Sequence, residues 1–182
     1  VVTEILEPVL RDLRQEGIIY TGCLYAGLMI TDDGPKVIEF NARFGDPEAQ
    51  VVLPLLASDL VTVMEACLDG RLKDCEVKWR HGAAVCVVLA AAGYPGSYTK
   101  GDVITGLDTV DDPAAIVFHA GTAWRDGRIV TNGGRVLGIT GLGSDIRSAA
   151  NKAYSIVEKI DFAGKQYRPD IAWRVLQRAA SR

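Results

Sequence analysis

Three polar side chains occupy alternate positions of one apolar run, and together they have the chemistry to hold a metal ion and a phosphate. They are Glu39, Asn41 and Arg43. Side chains two residues apart on a β-strand point to the same face, so we expect these three on one face and Ile38 and Phe40 on the opposite, buried face. Mg²⁺ takes oxygen ligands, usually one or two from protein and the rest from water and nucleotide phosphates. A carboxylate and an amide meet that requirement, and a guanidinium suits phosphoryl or carboxylate oxygens.

The spacing alone leaves a plainer interpretation open, in which Glu39 and Asn41 are the solvated face of a half-buried strand. The residues that follow add a helix start. Asp46, Pro47 and Glu48 have the pattern of an N-cap, a first-turn proline and an acid that complements the helix dipole. Gly45 is expected to give the turn a backbone conformation that other residues resist.

The flanking sequence predicts a hairpin and helices that would position this motif. Two strand-like runs, residues 20–31 and 36–41, are joined by an Asp-Gly step, which is a strong hairpin signal. An amphipathic helix before them runs to about Gly17, a short helix is expected from Pro47, and another from Ser58 to Asp69.

After residue 70 short strands and glycines take over, so we expect a boundary within residues 71–80. A continuous apolar run predicts a buried strand, and further strands and helices follow. The predicted elements are strands at 83–92, 116–124, 128–131 and 135–140, with a hairpin at Arg125-Asp126-Gly127, a helix from Ser144 or Asp145, and a last helix after Pro169.

Composition excludes several classes of function. A net charge of −3 argues against a nucleic-acid surface, and no run approaches the roughly 18 apolar residues of a membrane helix. The four cysteines have no zinc-ligand spacing and are expected to be reduced thiols of a cytoplasmic protein. Because Val1 opens directly into a helix, we expect the chain to continue a longer protein.

The string FNARFGDPEAQ, preceded by GCLYAGLMITDDGPKVIE and followed by VVLPLLASDL, resembles the glycinamide ribonucleotide synthetases (phosphoribosylamine–glycine ligases) of the ATP-grasp superfamily. The run Arg43 to Glu48 is the family's signature. HAGT at 119–122 and TNGGR at 131–135 resemble the same family's C-terminal domain. The resemblance covers essentially the whole chain, but not the upstream part that carries the adenine pocket and the phosphate-gripping lysines.

The resemblance implies an α+β fold of two parts. Residues 1–75 would be the C-terminal part of an ATP-grasp domain, with antiparallel strands, helices and the metal-binding strand. Residues 76–182 would be a small, mixed, β-rich C-terminal domain with helices. The implied reaction joins glycine to 5-phosphoribosylamine through glycyl phosphate, with ATP and Mg²⁺ or Mn²⁺, in purine biosynthesis. The chain alone, without its N-terminal part, is expected to be inactive.

The resemblance also implies roles for individual residues. Glu39 and Asn41 would be the metal ligands. Many ATP-grasp enzymes add a carboxylate from the preceding strand, but Gly27 stands there, so nucleotide phosphates must complete the shell. Arg43 would clamp the glycine carboxylate or the transferred phosphoryl group, or else orient an acid of the turn. Asp46 would be a structural N-cap, or would face the substrate amine.

In the second part, Gly133, Gly134 and Arg135 are candidates for the phosphate of phosphoribosylamine, since a Gly-Gly step can present backbone N–H groups to an anion. The alternative is a plain hairpin with a salt-bridged arginine. His119 is expected to be a hydrogen-bonded strand residue rather than a proton shuttle.

Two other functions stay open at this point. The chain could belong to another ATP-grasp ligase or a carboxylase that acts on a different acid. It could also be a non-catalytic half that completes a partner chain.

Overall fold

The computed structural model describes residues 1–180 and divides them into two units. Unit 1 consists of Val1–Ala49 and Leu56–Lys78, and unit 2 consists of Gln50–Leu55 with the chain from Trp79 onward. The helices are α1 (Glu7–Gln15), α2 (Ala49–Val52), α3 (Leu60–Leu68), α4 (Ile146–Val157) and α5 (Trp173–Ala180). The strands are β1 (Tyr25–Thr31), β2 (Gly34–Asn41), β3 (Ala83–Ala90), β4 (Ala115–His119), β5 (Thr122–Arg125), β6 (Arg128–Thr131) and β7 (Arg135–Gly143).

Unit 1 is built on the predicted hairpin. β1 and β2 pair antiparallel, and Thr31 opposite Gly34 closes a turn of two aspartates. A π-helical turn, Val2–Leu6, leads into α1, which has Pro8 in its first turn, where a missing backbone N–H costs nothing. The hairpin prediction is therefore confirmed, although β1 begins at Tyr25 and not at residue 20.

The helix start predicted at Ser58 is wrong by one residue. The N-cap of α3 is Asp59, whose carboxylate accepts a hydrogen bond of 2.8 Å from the Thr62 N–H. The Ser58 hydroxyl instead accepts from the Lys78 N–H, also at 2.8 Å. Both residue types cap helices well, so only the tertiary contact of Ser58 distinguishes them.

In unit 2, the antiparallel sheet β3-β7-β4 carries α4 against it, and β5-β6 forms a separate two-stranded sheet. Apolar side chains from the sheet and from α4 form the main core, which includes Val87, Leu89, Leu137, Ile139, Ala153, Ile156 and Ile160. The capping box of α4 selects Asp145 over Ser144, because the Asp145 carboxylate accepts from the Ser148 N–H while the Ser148 hydroxyl accepts from the Asp145 N–H.

The single strand predicted at 116–124 is wrong. The chain leaves β4 at His119 and enters β5 at Thr122, and β4 pairs with β7 while β5 pairs with β6. The change of sheet occurs at Gly121, where a Cβ would lie 2.5 Å from the Cα of Gly133. This backbone crossing admits no side chain, and local apolar periodicity does not reveal it. The predicted hairpin at 125–127 is confirmed.

Most other predictions of secondary structure and fold class are confirmed. β3, the start of β7 and α5 lie where the sequence predicts them, although β7 continues to Gly143. All four cysteines are free thiols. None of the helices formed by the described residues is long and apolar enough to cross a membrane. The mixture of helices and antiparallel sheets confirms the α+β class.

Candidate functional site

The predicted metal pair lies at the end of β2 in unit 1. The Asn41 Nδ2 donates a 3.0 Å hydrogen bond to the Glu39 Oε1, so the two side chains share one face, as predicted. With its Nδ2 directed at Glu39, Asn41 keeps its carbonyl oxygen for another partner. Glu39 is exposed and Asn41 half-buried.

The register of the hairpin shows what lies beside this pair. Glu39 is opposite Gly27 and Asn41 is opposite Tyr25. Leu28 is opposite Val37, so Ile38 is the extra residue of a β-bulge. The bulge ends before Glu39, and therefore leaves the shared orientation of Glu39 and Asn41 intact.

The donor set fits a hard cation that is bound mostly by other ligands. One carboxylate and one amide carbonyl supply two oxygens, which is what Mg²⁺ usually takes from protein in nucleotide sites. The described residues contain no group of three or more His, Cys, Asp or Glu side chains arranged to hold a metal. Within the described residues, the pair therefore has no third ligand of these four types beside it.

Gly27, where many ATP-grasp enzymes have a carboxylate, is the cross-strand neighbour of Glu39. A Cβ built on Gly27 would lie 3.1 Å from Glu39 Cγ and 3.8 Å from its Oε1. The Glu39 side chain thus lies over the space that a third ligand would need.

The opposite face of β2 is not buried in the described chain. Ile38 is 64% exposed and Phe40 is 40% exposed. This part of the prediction is wrong because the hairpin is a two-stranded sheet, and strand periodicity predicts which residues share a face but not what covers that face.

Arg43 does not continue the strand face, which corrects the predicted grouping of three side chains. β2 ends at Asn41, and the chain bends at residues 42–43. The Arg43 Nη1 donates a 2.8 Å hydrogen bond to the Phe44 carbonyl. Its side chain is exposed.

Asp46, Pro47 and Glu48 form a turn before the helix rather than its first residues. α2 begins at Ala49, whose N–H donates to the Gly45 carbonyl at 2.9 Å. The N-cap interpretation of Asp46 and the first-turn interpretation of Pro47 are therefore wrong. The peptide bond between these two residues is cis.

Gly45 has close side-chain contacts rather than a special backbone conformation. Its φ does not fall in the left-handed region, which contradicts the expectation from sequence. A Cβ at this position would collide with the Glu48 carboxylate, with the Glu48 Cδ at 2.9 Å. Glu48 thus folds back over a buried Gly45.

Sequence analysis missed the electrostatic coupling of Tyr25 to two acids near the end of β2. Burial, followed by the negative charge of Glu48 and hydrogen bonding to it, raises the pKa of Tyr25, and the charge of Glu39 adds to the rise. The phenol therefore stays protonated and able to donate at neutral pH. The hairpin register was the available signal, since it pairs Tyr25 with Asn41.

In unit 2, Gly133 and Gly134 link β6 to β7. These strands belong to different sheets, so the plain-hairpin alternative is wrong. Gly134 has no room for a side chain, because a Cβ there would collide with the ring of Tyr94 and lie 3.0 Å from the ring of Tyr98. Its carbonyl accepts from the Ala91 N–H at 2.8 Å.

Arg135, at the start of β7, lines a cavity of about 750 Å³ in unit 2. Two other cations line it, and each of them, like Arg135, interacts with neighbouring groups. The Lys165 Nζ donates to the carbonyls of Val157 and Ile160, at 3.1 and 2.6 Å, and Arg168 forms an ion pair with Asp170. Tyr94, Gln166 and Tyr167 complete its polar and aromatic lining.

His119 is a hydrogen-bonded strand residue, as predicted. Its Nδ1 lies 3.0 Å from the Thr122 Oγ1, across the crossing between β4 and β5.

Two family models match the chain. The model described as phosphoribosylglycinamide synthetase, C domain, matches residues 84–174, and the ATP-grasp (A) domain of the same synthetase matches residues 1–49. The phosphoribosylamine–glycine ligase of Caldanaerobacter subterraneus subsp. tengcongensis is 54% identical over 93% of this chain, which spans 40% of that protein. The trifunctional purine biosynthetic protein adenosine-3 of Gallus gallus is 52% identical over 94% of this chain, which spans 17% of it.

A crystal structure of the phosphoribosylamine–glycine ligase of Thermotoga maritima superimposes with a TM-score of 0.81 at 42% identity. The superposition covers 94% of this chain and 42% of the Thermotoga chain. The biotin carboxylase domain of the Hydrogenobacter thermophilus 2-oxoglutarate carboxylase superimposes with a TM-score of 0.61 at 16% identity. The superposition covers 88% of this chain and 36% of the carboxylase chain, so the two share the fold. The chain spans about two fifths of the length of the bacterial ligases that it matches. With one model covering half of its 182 residues, the chain belongs to the phosphoribosylglycinamide synthetase family, as its signature run predicts.

Proposed function

We propose that this chain is the metal-bearing and C-terminal portion of an ATP- and Mg²⁺-dependent phosphoribosylamine–glycine ligase. The complete protein would convert ATP, glycine and 5-phosphoribosylamine into glycinamide ribonucleotide, ADP and phosphate through glycyl phosphate. The observation that carries this proposal is the Glu39–Asn41 pair, held on one strand face by a 3.0 Å hydrogen bond, in a chain of this family.

Glu39 and Asn41 would hold the divalent cation. When bound, such a cation neutralises phosphate charge and polarises phosphoryl oxygens. The two side chains would fix it at the end of β2 and leave its remaining positions to nucleotide oxygens. Because they supply only two ligands, the affinity of the chain alone for Mg²⁺ should be weak. Mn²⁺ has the same preference for oxygen and should substitute.

Arg43 and Asp46 would act on the substrates beside the cation. Transfer of a phosphoryl group to a carboxylate brings anions together, so a cationic clamp lowers the barrier. The exposed guanidinium of Arg43, just past β2, suits the glycine carboxylate or the transferred group. Asp46 would face the substrate amine. Gly45, which has no Cβ, leaves room for the Glu48 side chain in the same turn.

Gly133, Gly134 and Arg135 would bind the phosphate of phosphoribosylamine. Arg135 lines the 750 Å³ cavity, where Lys165 and Arg168 are held by carbonyls and by Asp170. The Arg135 guanidinium would add positive charge for the anion. The backbone of Gly134 is restricted by its packing against Tyr94 and Ala91.

The domain boundary and the partner of this chain follow from the same proposal. Residues 1–75 would complete an ATP-grasp domain, and residues 76–182 would be the synthetase C-terminal domain. The N-terminal part found in longer relatives would supply the remaining nucleotide contacts, so the chain by itself should not release ADP. A cytoplasmic location stays a prediction.

The proposal is tested by substituting the metal pair in the full-length protein that carries this sequence. Glu39→Gln and Asn41→Ala should each reduce glycine- and phosphoribosylamine-dependent ADP release at least 100-fold at limiting Mg²⁺, with an unchanged unfolding midpoint. The matched control is Lys36→Gln, which removes an exposed charge from the same strand and should retain the parent rate. Parent-like turnover by either variant would show that Glu39 and Asn41 are not the metal ligands.

The alternatives give different results in the same preparation. Another carboxylate–amine ligase or a carboxylase would release ADP with a different acid and not with glycine. A non-catalytic half would co-purify with a partner chain and restore that partner's activity.

A further inference from the structure

The cavity of about 750 Å³ in unit 2 is lined by a row of residues from three adjacent chain segments. Ala90, the last residue of β3, is opposite Arg135 of β7 on one side and opposite Gln166, in the segment after α4, on the other. The Ala90 N–H donates to the Gln166 carbonyl at 2.8 Å, and the Gln166 N–H donates to the Ala90 carbonyl at 2.9 Å. Because residues directly opposite each other in antiparallel pairs point to the same face, these three side chains share one face.

The middle residue of this row has a small side chain, which leaves a gap above it. Ala90 exchanges both of its backbone hydrogen bonds with Gln166, so its pair with Arg135 is the closer, non-hydrogen-bonded kind. Cα spacings of about 5.5 and 4.5 Å for the two kinds of pair place the Gln166 and Arg135 backbones roughly 10 Å apart. A primary amide and a guanidinium are thus attached at the two ends of a gap with an alanine at its centre.

The segment that carries Gln166 is fastened to α4 on both sides. Before it, the Lys165 Nζ donates to two carbonyls at and just after the end of α4, at 3.1 and 2.6 Å. After it, the Tyr154 hydroxyl donates to the Arg168 carbonyl at 2.8 Å. Gln166 itself is exposed and lines the cavity. Its amide is therefore carried by backbone that is held in place, which suits a residue that recognises a ligand.

We propose that Gln166 binds the ribose hydroxyls of the phosphoribosyl substrate, while Arg135 takes its phosphate at the other end of the gap. This inference rests on the proposed function and adds a specificity residue to the same site. A primary amide both donates and accepts hydrogen bonds, and so do the neighbouring hydroxyls of a ribose. The rings of Tyr94 and Tyr167, which also line the cavity, give the sugar apolar surface to lie against. The gap therefore fits a pentose with a phosphate at one end.

The test measures the steady-state kinetics of Gln166→Ala, Ala90→Leu and Arg135→Gln in the full-length protein that carries this sequence. Gln166→Ala should raise the KM for phosphoribosylamine roughly five- to tenfold, as expected for the loss of a hydrogen bond to a neutral group. Its kcat, and its KM values for glycine and Mg·ATP, should stay within about twofold of the parent, because the contact is the same in the ground and transition states. Ala90→Leu fills the gap without removing a polar group and should raise the same KM at least tenfold.

The matched control is Gln177→Ala, the same change at an exposed position of α5 outside the cavity lining, and it should keep every constant at the parent value. Urea unfolding checks each variant, and the exposed Gln166→Ala should keep the parent midpoint. A parent-like KM for phosphoribosylamine in Gln166→Ala or Ala90→Leu would overturn the inference, as would equal rises in all three KM values. If Arg135→Gln raises this KM while Gln166→Ala does not, the phosphate site stands and the ribose contact fails. If Glu39→Gln, measured in parallel, is active, the proposed function itself fails.

Discussion

Replacing Gly141 by alanine should separate α4 from the central strand of unit 2. A Cβ on Gly141 would overlap the carbonyl oxygen of Ala149 and the nitrogen of Ala153, and would lie 3.0 Å from the Lys152 Cβ. Two of these atoms belong to the helix backbone, which cannot rotate away as the end of a side chain can. The whole helix must therefore move, and its residues Ala149 and Ala153, which are completely buried, would lose their packing.

The size of the effect follows from two opposing contributions. Overpacking a filled core costs about 1–3 kcal/mol, and a backbone overlap belongs at the upper end. Replacing a strand glycine by alanine returns about 0.5–1 kcal/mol because the unfolded chain loses freedom. The net loss should be roughly 2 kcal/mol, which lowers the melting temperature of a unit of about 100 residues by roughly 10 °C.

Urea unfolding followed by tryptophan fluorescence measures this change, because all three tryptophans, Trp79, Trp124 and Trp173, lie in unit 2. Gly138→Ala is the matched control on the same strand. A Cβ there would meet only side chains, with Cys86 Sγ the nearest at 3.3 Å, so its stability should change by less than about 1 kcal/mol. Equal midpoints for the two variants would refute the close-approach argument.

Two further substitutions test buried and charged contacts of unit 2. Thr140→Val removes the 2.9 Å hydrogen bond from the buried Thr140 hydroxyl to the Gln50 carbonyl and should cost about 1–3 kcal/mol in urea unfolding; an unchanged midpoint would contradict the role of that bond. The Asp112 carboxylate accepts from Lys152 Nζ at 2.6 Å and from the Ala114 N–H, and these bonds hold its pKa below the ordinary value. Because the folded pKa lies below the unfolded one, the stabilisation is complete above about pH 4 and is lost as the pH falls further. The stability advantage over Asp112→Asn should therefore be largest near neutral pH and shrink below about pH 4; an advantage that is independent of pH would contradict the ion pair.

Local patterns in the sequence predicted the elements that local forces specify. The Asp-Gly step predicted the β1–β2 hairpin, the apolar run predicted β3, and the apolar face of 146–160 predicted α4. The Glu39–Asn41 pair followed from strand alternation, since a period of two survives wherever the backbone stays extended.

The errors arose where contacts distant in sequence override local preference. Arg43 has the spacing of a strand residue, but β2 ends two residues before it. The pattern around Asp46 is that of an N-cap, yet a turn precedes α2, and the Glu48 side chain lies over Gly45. The backbone crossing at Gly121 is equally invisible in a periodic pattern, because its cause is Gly133 in another strand connection.

The central claim is that Glu39 and Asn41 hold a divalent cation together with a nucleotide. The direct measurement is the anomalous difference density of Mn²⁺ in crystals of the full-length protein grown with ADP. The account predicts a peak within roughly 2.5 Å of a Glu39 carboxylate oxygen and of the Asn41 amide oxygen. A manganese peak on the nucleotide phosphates with neither side chain in that range would contradict it.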